Sequence, residues 1–318
     1  MNVLSLFDGI SCGMIALERA GIEVDNYYSS EIENNAIEIS NKNYPKIIRL
    51  GDITKLDKTI LEKLPKIDLI LAGSPCQGFS RNGNMLNFKH KQSKLFFNFI
   101  EILSIIRSYN NSNVKFLLEN VEMKKEWRDI ITEYVGVEPL DINSKLLSAQ
   151  NRPRTYWTNI ENVEVPKDIG IKLKDILIEV DLDNLIEKQG ILVDKTFNEK
   201  ELCLVNVVNG EVRISQATKL GYIVAEDGDG VNLSFPTSKT RRGRVIKQKT
   251  NTLDKQCNVC VYYDNILRKL TIEELEKLQT LPVGYTKDIS EPKRRNAIGN
   301  GWTVDVIVHI LKYLKYQQ

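Results

Sequence analysis

Between Val3 and Glu119 short apolar runs alternate with helix-period patterns, and this alternation restricts the possible folds more than any other feature of the chain. Val3–Phe7, Tyr27–Ser30, Ile47–Leu50, Ile67–Ala72 and Lys115–Glu119 have the length and continuity of buried strands. Cys12–Ala20, Glu33–Lys42, Asp57–Lys63, Lys94–Tyr109 and Met123–Tyr134 carry helical spacing. Strands separated by helices pair in parallel through right-handed crossovers, with helices on both faces. The expectation is an α/β fold with a doubly wound, mostly parallel sheet, and ligands at the carboxyl ends of its strands.

Past Pro166 the pattern changes. Leu202–Val208, Tyr222–Ala225 and Val259–Tyr263 are short and β-like, with turn signals at Asn209-Gly210 and across Asp227–Gly230. A smaller, irregular, β-rich unit is expected there. Helical character returns at Thr271–Leu281, where Thr271 and Glu274 have capping-box spacing, and again at Thr303–Tyr316. The expected division is 1–165 with 285–318 as one domain and 166–284 as the other, which suits 318 residues.

Composition excludes several classes. No apolar run reaches the roughly 20 residues of a membrane helix, and the first residues lack the plan of a secretion signal. The five cysteines are odd in number and scattered, as in a reducing compartment. A cytoplasmic monomer with no membrane partner is expected. The net charge of +2 neither demands nor excludes a polyanion; clustering of the basic residues decides that.

Two sets of residues at strand ends carry chemistry. The first strand runs into Phe7-Asp8-Gly9-Ile10-Ser11-Cys12-Gly13, where glycines allow a ligand close to the backbone. Glu31 ends the second strand 22 residues after Gly9, the position of a carboxylate that holds ribose hydroxyls. Asp52 follows the third strand and would accept from an adenine amino group. These signals fit a dehydrogenase or a methyltransferase. The second set is Gly73-Ser74-Pro75-Cys76-Gln77-Gly78-Phe79-Ser80, a thiol just past a buried strand. The polar, basic stretch Arg81–Lys94 that follows has the composition of a loop that closes over a substrate.

Pro75-Cys76-Gln77 resembles the signature of the DNA cytosine-5 methyltransferases. Phe7-Asp8-Gly9, Glu31, Asp52, Glu119-Asn120-Val121, Gln150-Asn151-Arg152-Pro153-Arg154 and Gly299-Asn300 follow that family's order across nearly the whole chain except about 166–253. The loop after Cys76 is closest to the bacterial and phage type, whereas Phe7–Ile10 and Gly301–Val304 resemble the animal de novo enzymes. Two departures stand out: the paired glycines many members carry after the first Gly are missing, and Gly301-Trp302 stands where Ser-Val is commoner.

The resemblance implies the Rossmann-like fold of class I AdoMet-dependent methyltransferases, with a target-recognition domain over the variable stretch. It implies S-adenosylmethionine as methyl donor, held by Phe7, Asp8, Gly9, Ile10, Ser11, Glu31, Ile32, Asp52, Ile53, Ser74, Pro75, Leu95, Asn300, Gly301 and Trp302. Phe7 and Trp302 would face the sulfonium. Catalysis would fall to Cys76, Glu119, Arg152 and Arg154. Cytosine C5 is a poor nucleophile, and a thiolate adding at C6 turns the ring into an enamine that attacks an electrophilic methyl group. Glu119 would hold the N4 amino group and share a proton with N3. Arg154 would hold O2, and Arg152 would support the loop or a phosphate. The base must leave the duplex, with Asn82 as the candidate to fill the gap.

Double-stranded DNA is the implied partner, contacted by Gln77, Ser80, Arg81, Asn82 and the cluster Arg241, Arg242 and Arg244. A cognate restriction endonuclease would be a functional, not a physical, partner. Transfer-RNA methylation by the same family and a catalytically silent DNA-binding paralogue are the rival readings. Cys257-x-x-Cys260 has no second cysteine pair nearby, and His90 and His309 are isolated, so no metal is expected.

Overall fold

Leu4 and Leu6 turn to one face of the first strand and Val3 to the other, yet all are fully buried. The same holds for Leu69, Ile70, Leu71 and Ala72, and for Phe116, Leu117 and Leu118. Strands apolar on both faces belong inside a helix-covered parallel sheet. The computed structural model describes residues 1–74, 94–179 and 181–317. Its chain folds into two compact units, Met1–Asn143 with Pro153–Lys167 and Gly301–Gln318, and Ser144–Arg152 with Asp168–Asn300.

The first unit is built on β1 (Asn2–Leu6), β2 (Asn26–Ser30), β3 (Ile48–Arg49), β4 (Leu69–Gly73), β5 (Lys115–Val121) and β6 (Pro139–Asn143). The two-residue β7 (Gln150–Asn151) belongs to the second unit, and β8 (Pro153–Thr158) returns to the first. The sheet order is β3-β2-β1-β4-β5-β8-β6. β1 to β5 are parallel, whereas β8 runs antiparallel to both β5 and β6. The chain order reverses between β1 and β4, the switch point where such sheets bind ligands. Helices α1 (Cys12–Arg19), α2 (Asn34–Asn43), α3 (Lys58–Leu61), α4 (Lys94–Tyr109) and α5 (Lys125–Val135) lie between the strands. Phe96, Phe99, Leu103 and Ile106 of α4 recur at helical spacing and pack on Leu6, Ile70, Phe116 and Leu118. Burying each such side chain stabilises the fold by about 1.5–3 kcal/mol. Among the described residues no helix is long and apolar enough to cross a membrane.

The second unit holds a six-stranded sheet of order β15-β14-β17-β18-β10-β9. These strands are β9 (Leu185–Lys188), β10 (Ile191–Asp194), β14 (Asp229–Asn232), β15 (Arg244–Ile246), β17 (Cys260–Tyr263) and β18 (Ile266–Lys269). A separate antiparallel sheet joins β11 (Val205–Val208), β12 (Glu211–Ser215) and β13 (Tyr222–Ala225). Asn209 and Gly210, at φ 54° and 81°, form its two-residue hairpin loop. β16 (Thr250–Asn251) pairs with β7. Helix α7 (Ile272–Leu278) starts at Thr271, whose hydroxyl accepts from the Glu274 N–H while the Glu274 carboxylate accepts from the Thr271 N–H. α8 is Glu291–Asn300 and α9, back in the first unit, is Val304–Lys312.

Three expectations need adjustment. Leu202–Val208 is not one strand: α6 (Glu199–Leu202) ends where β11 is about to begin. Residues 144–152 and 285–300 pack with the second unit rather than the first. Gln150 is the reason at one end, since its amide donates to the Leu278 carbonyl and Gln279 Oε1 and accepts from Leu253 N. At the other end, the Gln279 amide donates to the Ile298 carbonyl.

Candidate active site

The carboxyl ends of β1, β2, β4 and β5 gather the candidate residues of the first unit. Leu6 pairs in register with Ser30 and Ala72, and Gly73 pairs with Glu119. The loop after β1 leaves the extended region at once: Phe7, Gly9 and Ser11 have φ 57°, 58° and 60°. The Gly9 N–H donates to Glu31 Oε2 at 2.7 Å, and Ile32 N and Glu33 N donate to Oε1 at 2.8 and 2.9 Å. Glu31 thus ties the first loop to the start of α2. Oε2, with one donor on it, retains a lone pair for a ligand hydroxyl.

Ile32 is 65% exposed, a bare apolar surface beside that carboxylate. Asp52 caps the short helix that begins at Ile53, accepting from Thr54 N and Thr54 Oγ1 at 2.9 Å each. Those bonds hold its carboxyl below the usual range. Ile10 and Ile53 are buried, and Phe7 and Leu95 pack against the apolar core. Among the described residues, none beyond its chain neighbours comes within 4 Å of where a Gly9 side chain would begin.

Asp8 turns inward. Its side chain is buried: Oδ1 accepts from Ser5 and Tyr27 at 2.6 and 2.7 Å, Oδ2 from Ser11 and Ser29 at 2.6 and 2.9 Å. Arg49 stands 3.6 Å away. Burial, then the Asp8 charge, pushes the Tyr27 phenol well up, so it stays a donor. With four hydroxyls on its oxygens, Asp8 shapes the loop from inside.

At the end of β5, Glu119 is 9% exposed. Arg154 Nε of β8 lies 2.8 Å from its Oε1, and Trp302 Nε1 donates to Oε2 at 3.2 Å. Arg154 Nη1 donates to the Pro153 carbonyl, and Nη2 has no partner among the described residues. The next residue, Asn120, is buried and donates to Ser74 Oγ at 2.9 Å, while its own oxygen accepts from Val121 N. Asn120 therefore fixes the last described residue before Pro75. Sequence reading did not single it out, although a polar amide inside an otherwise apolar strand was a signal. Pro75, Cys76, Gln77, Ser80, Arg81, Asn82 and His90 lie outside the described residues.

Arg152 lies in the second unit. It is 4% exposed there, donating to the carbonyls of Leu253 at 3.0 Å and Gly299 at 3.3 Å. Buried, it braces that unit through these carbonyls. Asn300 is exposed at the end of α8, with its amide on Asn296. Gly301 is buried in the first unit. Arg241 and Arg244 are exposed and Arg242 is half-buried, and none pairs with an acid among the described residues. Arg241 lies over the ring of Phe235, 4.7 Å from its centre, and Phe235 is itself 52% exposed at φ 59°. The Arg242 guanidinium donates to the Ser238 carbonyl. Cys257 and Cys260 are buried thiols, and burial pushes Cys257 up to about 12.

A family model described as C-5 cytosine-specific DNA methylase matches residues 1–316. The type II methyltransferase M.FnuDI of Fusobacterium nucleatum is 28% identical over 99% of this chain and 94% of its own length. The orphan methyltransferase M.SPRI of Bacillus phage SPR is 30% identical over 56% of this chain, a match that spans 42% of that enzyme. Among solved structures, the Entamoeba histolytica methyltransferase EhMeth superposes with a TM-score of 0.67 at 17% identity, covering 100% of this chain and 98% of that one.

Proposed function

Because this chain belongs to the C-5 cytosine-specific DNA methylase family, we propose that it moves a methyl group from S-adenosylmethionine to C5 of a cytosine lifted out of duplex DNA, as a bacterial or phage modification enzyme. The observation that carries this reading is the Glu119–Arg154 pair at 2.8 Å, one strand from the segment that leads into Cys76. The residues at the β1 and β2 ends suit the cofactor. Gly9 offers open space, Glu31 has an acceptor for a ribose hydroxyl, Ile32 offers an apolar face for adenine, and Asp52 is an ionised acceptor.

The cofactor, when bound, supplies an electrophilic methyl group. Cys76 adds as thiolate to C6, and the ring becomes an enamine whose C5 takes the methyl group. Loss of the C5 proton and elimination of the thiolate restore the C5–C6 double bond. Glu119 accepts a hydrogen bond from the N4 amino group and shares a proton with N3 as negative charge builds there, and Arg154 Nη2 reaches O2. The loop of Arg241, Arg242 and Arg244 contacts DNA. The unit of Met1–Asn143, Pro153–Lys167 and Gly301–Gln318 would serve cofactor and catalysis, and that of Ser144–Arg152 and Asp168–Asn300 target recognition. A cognate endonuclease would share the site without binding the protein.

The test is nucleoside analysis after incubation with isotope-labelled cofactor and either duplex DNA or transfer RNA. Label in 5-methyldeoxycytidine is expected. Label confined to RNA, or at cytosine N4, would overturn the reading.

A further inference from the structure

We propose that Trp302 is a positioning residue for Glu119, fixing the plane of its carboxylate through the indole N–H. The proposal rests on the methyl-transfer reading above. A carboxylate gripped at one oxygen still turns about its last torsion, which has a broad minimum. Glu119 is gripped at both, by Arg154 Nε on Oε1 and by Trp302 Nε1 on Oε2 at 3.2 Å. The three groups come from β5, β8 and the link between α8 and α9, so no local structure imposes the arrangement.

The place of the indole is itself specified. A Cβ on Gly73 would stand 2.8 Å from Trp302 Nε1 and 3.2 Å from Cε2 and Cζ2. Any larger residue at the end of β4 would push the ring off Glu119. Gly301 and Thr303, on either side of Trp302, are both buried, which holds the link. Each carboxylate oxygen has two lone pairs, so Oε2 can accept from Trp302 and from an incoming amino group together. A ring that only filled space, or only faced a cation, would not need its N–H aimed at an acid.

Trp302→Phe keeps the ring and removes the donor. The expected result is a kcat lowered about ten- to a hundredfold, the range of one hydrogen bond to a charged group. The KM values for DNA and cofactor should stay within about threefold, because uniform binding is not what is lost. The indole 1H–15N resonance that disappears in that variant belongs to Trp302. It should move in otherwise wild-type protein carrying Glu119→Gln, with or without turnover. An unmoved resonance, a wild-type kcat in Trp302→Phe, or a loss wholly accounted for by weaker cofactor binding would overturn the proposal. Failure of the methyl-transfer reading is recognised separately: the wild-type enzyme then makes no 5-methylcytosine, while the resonance still reports the contact.

Discussion

Asp8 supports the first loop from within. A buried carboxylate with four hydroxyl donors loses acceptors if it becomes an amide, and the two hydroxyls on the replaced oxygen then meet a donor instead. Asp8→Asn should cost about 2–4 kcal/mol of stability at neutral pH, read by urea unfolding. A change below about 0.5 kcal/mol would contradict the account. That Asp8 belonged to the loop was legible in Phe7-Asp8-Gly9; that it turned inward was not, because its partners Tyr27 and Ser29 come from another strand.

The cysteines give a second test at this scale. Cys12, Cys257 and Cys260 are buried and Cys203 is exposed. Cys257 Sγ donates to the carbonyls of Asp254 and Arg295. Iodoacetamide on the native protein at pH 8 should modify Cys203 and spare Cys12, Cys257 and Cys260. The Cys257 thiol, raised to about 12, has a definite sign for stability. The contribution is complete below the unfolded value near 9, and drains away as pH climbs from there to about 12.

Individual elements were legible in proportion to how completely they are buried. α4 spans the residues its periodicity predicts, Lys94–Tyr109, and the Thr271–Glu274 box marks the start of α7. The strands of the second unit are short, and four residues carry too little pattern. The Asn198–Glu201 capping box of α6 was present in the sequence and passed over. α8 hid because Glu291–Asn300 has no apolar stripe. Arg294 on Thr286 and Arg295 on Glu291 and the Cys257 carbonyl hold it instead. A Cβ on Gly299 would stand 1.9 Å from the Asp254 carbonyl oxygen. Gly299→Ala should therefore cost more than about 2 kcal/mol, measured by thermal or urea unfolding; a neutral result would contradict the close approach.

The loop of Phe235 and Arg241 makes a prediction about binding. Arg241→Ala should weaken binding to every duplex and lower the salt slope by about 1 if the guanidinium meets a phosphate. If it meets a base edge, the loss of about 1–3 kcal/mol should fall on the preferred sequence alone. No effect on either would remove the loop from the interface.

For the molecule as a whole, the motif order foretold the family but not the division of the chain. Gln150 and Arg152 fold into the second unit while Arg154, two residues on, lies on the sheet of the first. One contiguous motif thus serves two units, which is invisible where boundaries are read from composition. The central claim concerns one bond. Duplex DNA carrying 5-fluorocytosine at the methylated position blocks the last proton loss, so the adduct should persist. With S-adenosylmethionine present, peptide mass spectrometry should find that base joined to Cys76 through C6. Methyl transfer with no such adduct on Cys76 would contradict the account.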